Sequence, residues 1–524
     1  MTLDAAALQV LVARCNGVAD EMGAVLRRAA SSPNIKERAD CSAACFTATG
    51  GLLAQAEHIP VHLGSMETAV RAAIAAAGDG IGPGEQIIGN DPFAGGTHLN
   101  DVTLVAPVFV HGALVGWVAN RAHHADLGGT APGSMPPGAL EIDEEGLRLP
   151  PMRLTRRVEE QLVTASRTPE ERRGDLDAQR GSNALGVERM AAIIDALGST
   201  APFAEIVGYG ERRMRAALAA LPDGTWTFED VLDSAGPRPE QQTPTRVVVA
   251  VTVAGDTVTF DFTGTDAQRP GNVNAVEAVT VSAVAFAVRT ATDPTIPANA
   301  GAMRPVRIVV PPGSVLGAQP PVAVGAGNVE VSQRVADVCL GALAGAVPDR
   351  VGAAGQGTMN NVLLGGGGAG LGRAWVYYET LGGGQGGRPW AAGASGMHTA
   401  MTNTADTPAE ALERALPLRV RRSTLRRGSG GAGAHDGGDG IERELEMLED
   451  TVVSLVTERR VSRPWGLAGG QPGAPGENWL LPGGDASRAT RLGDKCTAHL
   501  AAGDVLRILT PGGGGWGPPA ASLR

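Results

Sequence analysis

The stretch GGTHLNDVTLVAPVFVHGALVGWVANRAHHADLGG, residues 95–129, carries the most informative pattern in this chain. Polar, glycine-flanked segments stand at its two ends, and short apolar runs separated by turn residues fill the middle, which predicts strands and loops. Six of the nine histidines fall between His58 and His124. Imidazole and carboxylate groups this close in sequence, beside glycines that let the backbone approach a small ion, favour a site for a borderline divalent metal.

His98 and Asp101 are the first two predicted ligands, and their flanking residues favour a loop that feeds a strand over a helix. His123 or His124 supplies the third, and only one of them is expected to bind because adjacent strand residues point to opposite faces. Three protein ligands and a water are typical of a catalytic zinc site. Two histidines and a carboxylate also describe the iron site of oxygenases. By spacing alone, ordinary surface or core histidines remain an alternative.

His58 and His62 have i,i+4 spacing, but Pro60 between them opposes a helix that would align their rings. We therefore expect them to line a pocket rather than to bind the metal, with a structural role as an equal alternative. The five cysteines form no CxxC pair, which favours reduced thiols in the core over disulfides.

Composition excludes several classes of function. The formal net charge is -11, and the basic residues form no cluster that could follow a phosphate backbone, so we expect no nucleic-acid partner. No window of about 18 apolar residues occurs, so we expect neither a signal peptide nor a membrane span, and the cytoplasm is the expected location. Lys36 and Lys495 are the only lysines, and there is no P-loop motif. If ATP is used, another subunit is expected to bind it.

The pattern of periodicities predicts a mixed α+β, multi-domain chain. Residues 1–224 form a helical and strand-loop region that carries the metal site, with helices over 4–30, from Ser65, and over 168–220. Residues 225–364 form a mixed α/β middle region. Residues 365–524 form a β-rich, glycine-dense region, and the glycine runs there are expected at turns that need positive φ.

Several motifs together resemble the hydantoinase B family, which includes the B-type subunits of N-methylhydantoinase, 5-oxoprolinase and caprolactamase and the α-subunits of acetone and acetophenone carboxylases. The resemblance runs nearly end to end. The motifs are ERAD (37–40), HIPVHLGSM (58–66), NDPF (90–93), GGTHLND (95–101), RAHHADLGG (121–129), PGSM (132–135), DLDAQ (175–179), DFTGT (261–265), NT (403–404) and TPGGGG (510–515).

The resemblance implies a set of site residues. The implied metal ligands are Asp40, His98, Asp101 and His123, of which Asp40 could not be proposed from spacing. The metal is expected to be zinc, with manganese or iron as alternatives. We assign the remaining polar residues of the motifs to two roles: His58, His62, Asn90 and Asp91 to the substrate pocket, and His124 and Asp126 to proton transfer or to orienting the ligands.

The resemblance also implies a partner and a reaction. Family members work with a hydantoinase A-like ATPase subunit, so we expect a hetero-oligomer in which the partner binds ATP and phosphorylates the substrate. The leading hypothesis is the metal-bearing subunit of an ATP-dependent hydrolase of cyclic amides such as hydantoin or 5-oxoproline. A ketone carboxylase subunit is the second hypothesis, and a metal-dependent oxygenase or a scaffold without catalysis are weaker alternatives.

Overall fold

The computed structural model describes residues 4–56, 59–367 and 371–519, which build helices and four β-sheets. In that part of the chain the helices are α1 (Ala5–Ala29), α2 (Pro33–Lys36), α3 (Ser65–Ala77), α4 (Arg156–Ala165), α5 (Pro169–Leu197), α6 (Pro202–Ala219), α7 (Glu277–Ala291), α8 (Ser332–Ala346) and α9 (Ala409–Ala415). This mixed α/β fold with several sheets confirms the fold class expected from the sequence.

The first sheet has six antiparallel strands in the order β2-β1-β5-β4-β3-β6. Its strands are β1 (Cys41–Thr47), β2 (Leu52–Ala56), β3 (Ile87–Gly89), β4 (Asp101–Val110), β5 (Ala113–His123) and β6 (Met152–Arg153). The central strands are covered on both faces. Apolar residues of α3, including Met66 and Val70, pack against Val105 and Trp117, whereas Leu176 of α5 packs with Val102 and Leu104 on the other face. The polar side chains of β4 and β5 are therefore buried.

The register of the β4–β5 hairpin has a local cause. The strands are joined by His111 and Gly112, which both have positive φ and form the two-residue turn that matches the twist of a hairpin. Val115 is then an extra residue, because Phe109 lies opposite Leu114 but Val108 lies opposite Gly116. Such a bulge shifts the pairing by one residue, and each shift of one residue exchanges the two faces of a strand.

The second sheet has the order β10-β9-β8-β7, with β7 (Gly224–Leu232), β8 (Thr245–Ala254), β9 (Thr257–Asp261) and β10 (Val306–Val309). Helices α7 and α8 pack on it through the largest apolar core of the described residues, which includes Val249, Phe260 and Val335. Just before α8, residues Gly327–Val331 form a π-helical turn. Such turns are rare and occur often at functional sites.

Two antiparallel sheets form the C-terminal part. The third sheet has the order β12-β11-β15-β18, and the fourth has the order β13-β14-β19-β16-β17. Their strands are β11 (Asn361–Gly366), β12 (Trp375–Glu379), β13 (Leu418–Arg426), β14 (Gly440–Met447), β15 (Thr451–Val456), β16 (Glu477–Leu481), β17 (Thr490–Leu492), β18 (Lys495–Leu500) and β19 (Val505–Leu509). The core between the sheets contains residues of both, such as Leu364 and Leu506.

Glycines join the C-terminal segments backbone to backbone. The amide of Gly513 donates to the carbonyl oxygen of Gly438 (2.9 Å), and the amide of Gly438 donates to that of Gln385 (2.8 Å). A Cβ atom at Gly384 would overlap the backbone of Gly438 and Gly513. The expectation that these runs serve turns with positive φ holds for Gly428 (φ 76°), but it is wrong for the other described glycines of runs 382–387, 428–440 and 512–515, none of which has positive φ. They are needed because there is no room for a side chain.

The predicted division at residues 224 and 364 stays a prediction, and β11 crosses its second boundary. The predicted helix over 4–30 is α1, and the helix from Ser65 is α3. Among the described residues no single helix is long and apolar enough to cross a membrane. In this part of the chain, α5 and α6 are long and apolar enough only when they are taken together, and they are bent by 102° at their junction.

Candidate metal centre

The loop that carries His98 is fixed by its own polar side chains. The amide group of Asn90 donates to the carbonyl oxygens of Leu99 (2.7 Å) and Leu147 (2.9 Å), and its oxygen accepts from the amide of Leu149 (2.6 Å). Asp91 caps a short 3-10 turn through the amide of Phe93. These contacts hold the backbone of the loop before it enters β4 at Asp101.

The hairpin places His123 directly opposite Asp101. If Val115 were paired with Val108 instead of bulged, Asp101 would lie opposite Ala122, and the ring of His123 would lie on the other side of the sheet. The bulge in the middle of the hairpin is therefore a condition for the site at its end.

His98, Asp101 and His123 come together as one buried group. Their ligand atoms lie within 4.8 Å of one another. Asp101 Oδ1 is 3.2 Å from His98 Nε2 and 3.6 Å from His123 Nδ1, and the two rings meet edge to face with centroids 5.0 Å apart. All three residues are at most 2% exposed. The arrangement offers two imidazoles and one carboxylate to a single ion, which suits zinc and related metals.

Unpaired atoms in this group test whether a metal fits there. Both ring nitrogens of His98, Asp101 Oδ1 and His123 Nε2 are buried and have no hydrogen-bond partner among the described residues. Buried polar atoms are almost always paired, because an unpaired one costs about 1–3 kcal/mol. A cation would take one lone pair from each of the three side chains and so explain three of these atoms, one per residue, so the residues fit a metal ion.

The second oxygen of Asp101 is held by hydrogen-bond donors. Asp101 Oδ2 accepts from Thr97 Oγ1 (2.6 Å) and Asn328 Nδ2 (3.2 Å), and His62 Nε2 lies 3.3 Å away. The other ring nitrogen of His62 is 2.9 Å from Ser42 Oγ. Oδ2 is thus occupied, whereas Oδ1 faces the two imidazoles. Donors on one oxygen orient the other toward a metal.

Burial and charge shift the pKa values in opposite directions. Burial disfavours the charged forms of both His98 and Asp101. For each residue, the opposite charge of its neighbours outweighs this effect of burial. The pKa of His98 is raised by the Asp101 carboxylate, and the pKa of Asp101 is held well below its ordinary range by His98 and His62. For His123, burial prevails and lowers the pKa. Neutral His123 and ionised Asp101 are the forms that bind metals.

Asp40 lies at the edge of this group. Its Oδ2 is 3.9 Å from His123 Nδ1, and its carbonyl oxygen accepts from the amide of His123 (3.1 Å). Ala39 has a φ of 58°, which turns the chain from α2 into β1 just before Asp40. Asp40 does not belong to the closest set of three ligands, but it lies beside it, where it could complete a set of four.

His124 and Asp126, which were assigned to proton transfer or orientation, do not join the group. His124 Nε2 lies 3.0 Å from Gln179 Oε1 of α5, on the opposite face of the sheet from His123, and burial lowers its pKa to about 4. Asp126 accepts from the side chain of Arg167 (2.8 Å) and from the amides of Arg167 and Gly133. Both hold the loop that follows β5.

The predicted pocket residues have different positions. His62 lies in the group, through its contact with Asp101. Asn90 and Asp91 bind the backbone of the loop that carries His98 and do not join the three ligands. His58 lies outside the described residues.

Comparison with known proteins defines the family. The profile described as hydantoinase B/oxoprolinase matches residues 4–519. The chain belongs to this family. The resemblance drawn from the motifs is therefore confirmed.

Members of the hydantoinase B/oxoprolinase family with related sequences span archaea and eukaryotes. An uncharacterized protein of Methanocaldococcus jannaschii is 38% identical over 99% of this chain and 91% of its own length. The 5-oxoprolinase 1 of Arabidopsis thaliana is 39% identical over 98% of this chain, which spans only 42% of that protein. The 5-oxoprolinase of Saccharomyces cerevisiae is 35% identical, and the chain again spans 42% of it.

Two solved structures have a fold similar to that of this chain. The ATP-dependent caprolactamase from Pseudomonas jessenii superposes with a TM-score of 0.90 at 26% identity, over 99% of this chain and 92% of that chain. A nucleotide-free acetone carboxylase superposes with a TM-score of 0.87 at 19% identity, over 97% and 75% of the two chains, which shows a shared fold.

Three residues of the site were not found by sequence reasoning. Asn328 comes from the π-helical turn, and Thr97 was quoted only as part of a motif. Tyr378 of β12 stacks on the ring of His123 with centroids 4.6 Å apart, and the guanidinium of Arg38 lies 5.0 Å from the centre of the same tyrosine ring. Tyr378 and Asn328 are more than 200 residues from the hairpin, so no local pattern connects them to it.

Proposed function

We propose that this chain is the metal-bearing subunit of an ATP-dependent hydrolase that opens cyclic amides such as 5-oxoproline or hydantoin. The observation that carries the proposal is the buried group of His98, Asp101 and His123 with its unpaired atoms. Membership of the hydantoinase B/oxoprolinase family and similarity to proteins named 5-oxoprolinase and caprolactamase support the substrate class.

His98, Asp101 and His123 would hold the metal, with Asp40 as a fourth ligand. When bound, a divalent metal such as zinc lowers the pKa of water and polarises an amide or phosphoryl oxygen. We propose zinc first, with manganese or iron as alternatives. Of the two roles predicted for His124 and Asp126, orientation of the loop suits their contacts better than proton transfer.

The other residues of the site act by positioning. Thr97, Asn328 and His62 hold one oxygen of Asp101 so that the other stays directed at the imidazoles. Tyr378 fixes the plane of the His123 ring by stacking. Because the ligands are buried, bulk water is excluded and every electrostatic interaction in the site is strengthened.

The need for ATP follows from the chemistry of the amide. An amide resists attack by water, and phosphorylation of its oxygen gives a better leaving group. The sequence has no P-loop motif, so we propose that a hydantoinase A-like ATPase subunit binds ATP and activates the substrate in a hetero-oligomer. The chain spans only 42% of the Arabidopsis 5-oxoprolinase, which leaves room there for such a unit on the same polypeptide.

The test compares wild type with His98→Ala, and with His499→Ala as a matched control. His499 is an exposed histidine on β18, in another sheet. Each protein is combined with the partner ATPase and ATP, and ring opening of 5-oxoproline, hydantoin and caprolactam is followed together with bound metal. We expect His98→Ala to lose both the metal and ring opening, and His499→Ala to keep both.

Two results would contradict the proposal. Ring opening by His98→Ala at the wild-type rate would remove the metal group from the reaction. Formation of a carboxylated product from a ketone and bicarbonate, with no ring-opened amino acid from any lactam, would assign the chain to the carboxylases instead.

A further inference from the structure

Arg121 is a buried cation that forms no direct ion pair in the described part of the chain, although the Asp101 carboxylate acts on it from a distance and opposes the lowering of its pKa by burial. Its Nε donates to Thr103 Oγ1 (2.9 Å) and its Nη1 donates to Ser65 Oγ (2.8 Å), but Nη2 is buried and has no partner within residues 4–56, 59–367 and 371–519. The residue is 0% exposed. Within the described part of the chain no carboxylate oxygen forms an ion pair with it. Burying a charge without a counter-charge is expensive, so such a group calls for an explanation.

Other fully buried arginines do not share this feature. Arg172 pairs with Asp175 (3.0 Å), Arg334 with Asp230 (3.0 Å) and Arg459 with Asp337 (2.7 Å). Arg38 has no carboxylate, but both of its terminal nitrogens donate hydrogen bonds and Tyr378 lies against its guanidinium. Arg172 also has an unpaired terminal nitrogen, Nη1, but its Nη2 pairs with a carboxylate; among these five described arginines, Arg121 alone combines an unpaired terminal nitrogen with the lack of a carboxylate partner.

Arg121 lies on the face of the sheet that carries the metal centre. In the hairpin register Arg121 is opposite Thr103, and the next pair on the same face is His123 and Asp101. Residues two apart on a strand are separated by about 7 Å. A ligand of a few atoms could therefore reach both the guanidinium and the metal ligands.

The N-terminus of α3 adds a second positive end. Ser65, which accepts from Arg121, is the first residue of this 13-residue helix, and its N-cap, Gly64, provides no side-chain cap. Gly64 has a φ of 62°, and a Cβ there would lie 2.9 Å from a methyl group of Val281, so a capping residue does not fit. The first turn contains Glu67, which pairs with Arg71 at 2.7 Å. Helix N-termini favour anions.

We propose that Arg121 and the N-terminus of α3 bind the anionic group of the substrate beside the metal centre. That group is an oxyanion, either the carboxylate of a substrate such as 5-oxoproline or the phosphoryl group of an activated lactam. The planar guanidinium suits either one. The proposal deepens, and rests on, the proposed function.

The test measures binding to the chain alone, without ATP or partner, so that it does not depend on turnover. Dissociation constants for 5-oxoproline, neutral hydantoin and inorganic phosphate are determined by calorimetry for wild type, Arg121→Gln and Arg121→Met. Arg71→Met is the control, because it removes a positive charge from an exposed position of the same helix. Metal content is measured for every protein.

We expect the Arg121 variants to bind an oxyanion about 10- to 100-fold more weakly, the loss typical of a hydrogen bond to a charged group, with hydantoin binding and metal content unchanged. Weaker binding of 5-oxoproline alone assigns the carboxylate, and weaker binding of phosphate alone assigns the phosphoryl group. Weaker binding of both anions supports an anion site that accepts a carboxylate or a phosphoryl group.

Three results would overturn the proposal: unchanged affinity for both anions, an equal loss in Arg71→Met, or failure of both Arg121 variants to fold, which would make the guanidinium structural. An inactive wild type whose Arg121 variants still lose anion binding would refute the proposed function alone. An active wild type whose Arg121 variants bind anions normally would refute the anion site alone.

Discussion

Replacing Thr97 by valine removes one hydroxyl and tests how Asp101 is held. The hydroxyl donates to Asp101 Oδ2 over 2.6 Å, the shortest of the three contacts to that oxygen, and Thr97 is fully buried. Valine keeps the shape of threonine, so the packing is preserved. A hydrogen bond to a charged group contributes about 1.5–3 kcal/mol.

The expected loss lies at the lower end of that range. Asn328 at 3.2 Å and His62 at 3.3 Å still hold Oδ2 in the variant. We therefore expect metal affinity to fall by about 1.5 kcal/mol, which is about tenfold in Kd, in keeping with the 10- to 100-fold effects of residues that orient metal ligands. Competition with a chromophoric chelator measures this change directly.

Thr280→Val is the matched control. Thr280 is also fully buried, but its hydroxyl donates to the carbonyl oxygen of Leu316 (3.1 Å), in the core of the middle region. Both variants are expected to lose stability in urea unfolding, and only Thr97→Val is expected to lose metal affinity. If the two variants bind metal equally well, the hydroxyl of Thr97 does not orient Asp101 and the description of the site is wrong.

Three further predictions concern stability. Burial raises the pKa of Glu330 to about 7 from an ordinary 4.5, so the folded state keeps a proton that the unfolded state releases, and stability is lost as the pH rises from 4.5 to about 7. The unfolding free energy of Glu330→Gln should therefore rise by about 3 kcal/mol relative to that of wild type as the pH increases from 4.5 to about 7, with no further rise at higher pH. A difference in unfolding free energy that does not change with pH would refute this. The unfolding free energy of Gly384→Ala should be at least about 3 kcal/mol lower than that of wild type, since the new Cβ would overlap the backbone of Gly438 and Gly513. The unfolding free energy of Gly17→Ala should be about 0.5–1 kcal/mol higher than that of wild type. Alanine favours a helix more than glycine does, and Gly17 lies inside α1 with open space around it. Thermal unfolding compares the two glycine variants, and equal melting temperatures would show that the backbone packing at Gly384 is not tight.

Local patterns placed His98 and Asp101 together and left His123 and His124 as alternatives for a third ligand. The glycine-flanked runs gave a loop followed by a strand at Asp101, and the period of a strand indicated that His123 and His124 would separate. In the structure the ring of His123 faces Asp101, whereas His124 faces Gln179. These features depend on residues less than 30 positions apart.

Non-local packing explains what the sequence did not provide. Asn328 reaches Asp101 from a π-helical turn 227 residues away, and nothing near Asn328 distinguishes it from an ordinary turn residue. Asp40 was indicated only by the family resemblance. The glycines near 384 and 513 suggested turns by composition, yet their reason is the approach of three backbone segments that are distant in sequence.

The two faces of the β4–β5 hairpin show how a functional polar group differs from a structural one. On the face toward α5, Asn120 of β5 exchanges hydrogen bonds with Gln179 and Asn183, so that both of its amide atoms are paired, although Nδ1 of His124, just beyond the strand, has no partner among the described residues. On the face toward α3, at alternate residues of the same strand, Arg121 and His123 keep unpaired nitrogens. Both faces are equally buried, so burial alone does not explain the difference. A polar cluster that serves only the fold gains from pairing every atom, and one that leaves donors and acceptors open at adjacent positions pays an energetic cost that a bound metal and an anion would remove.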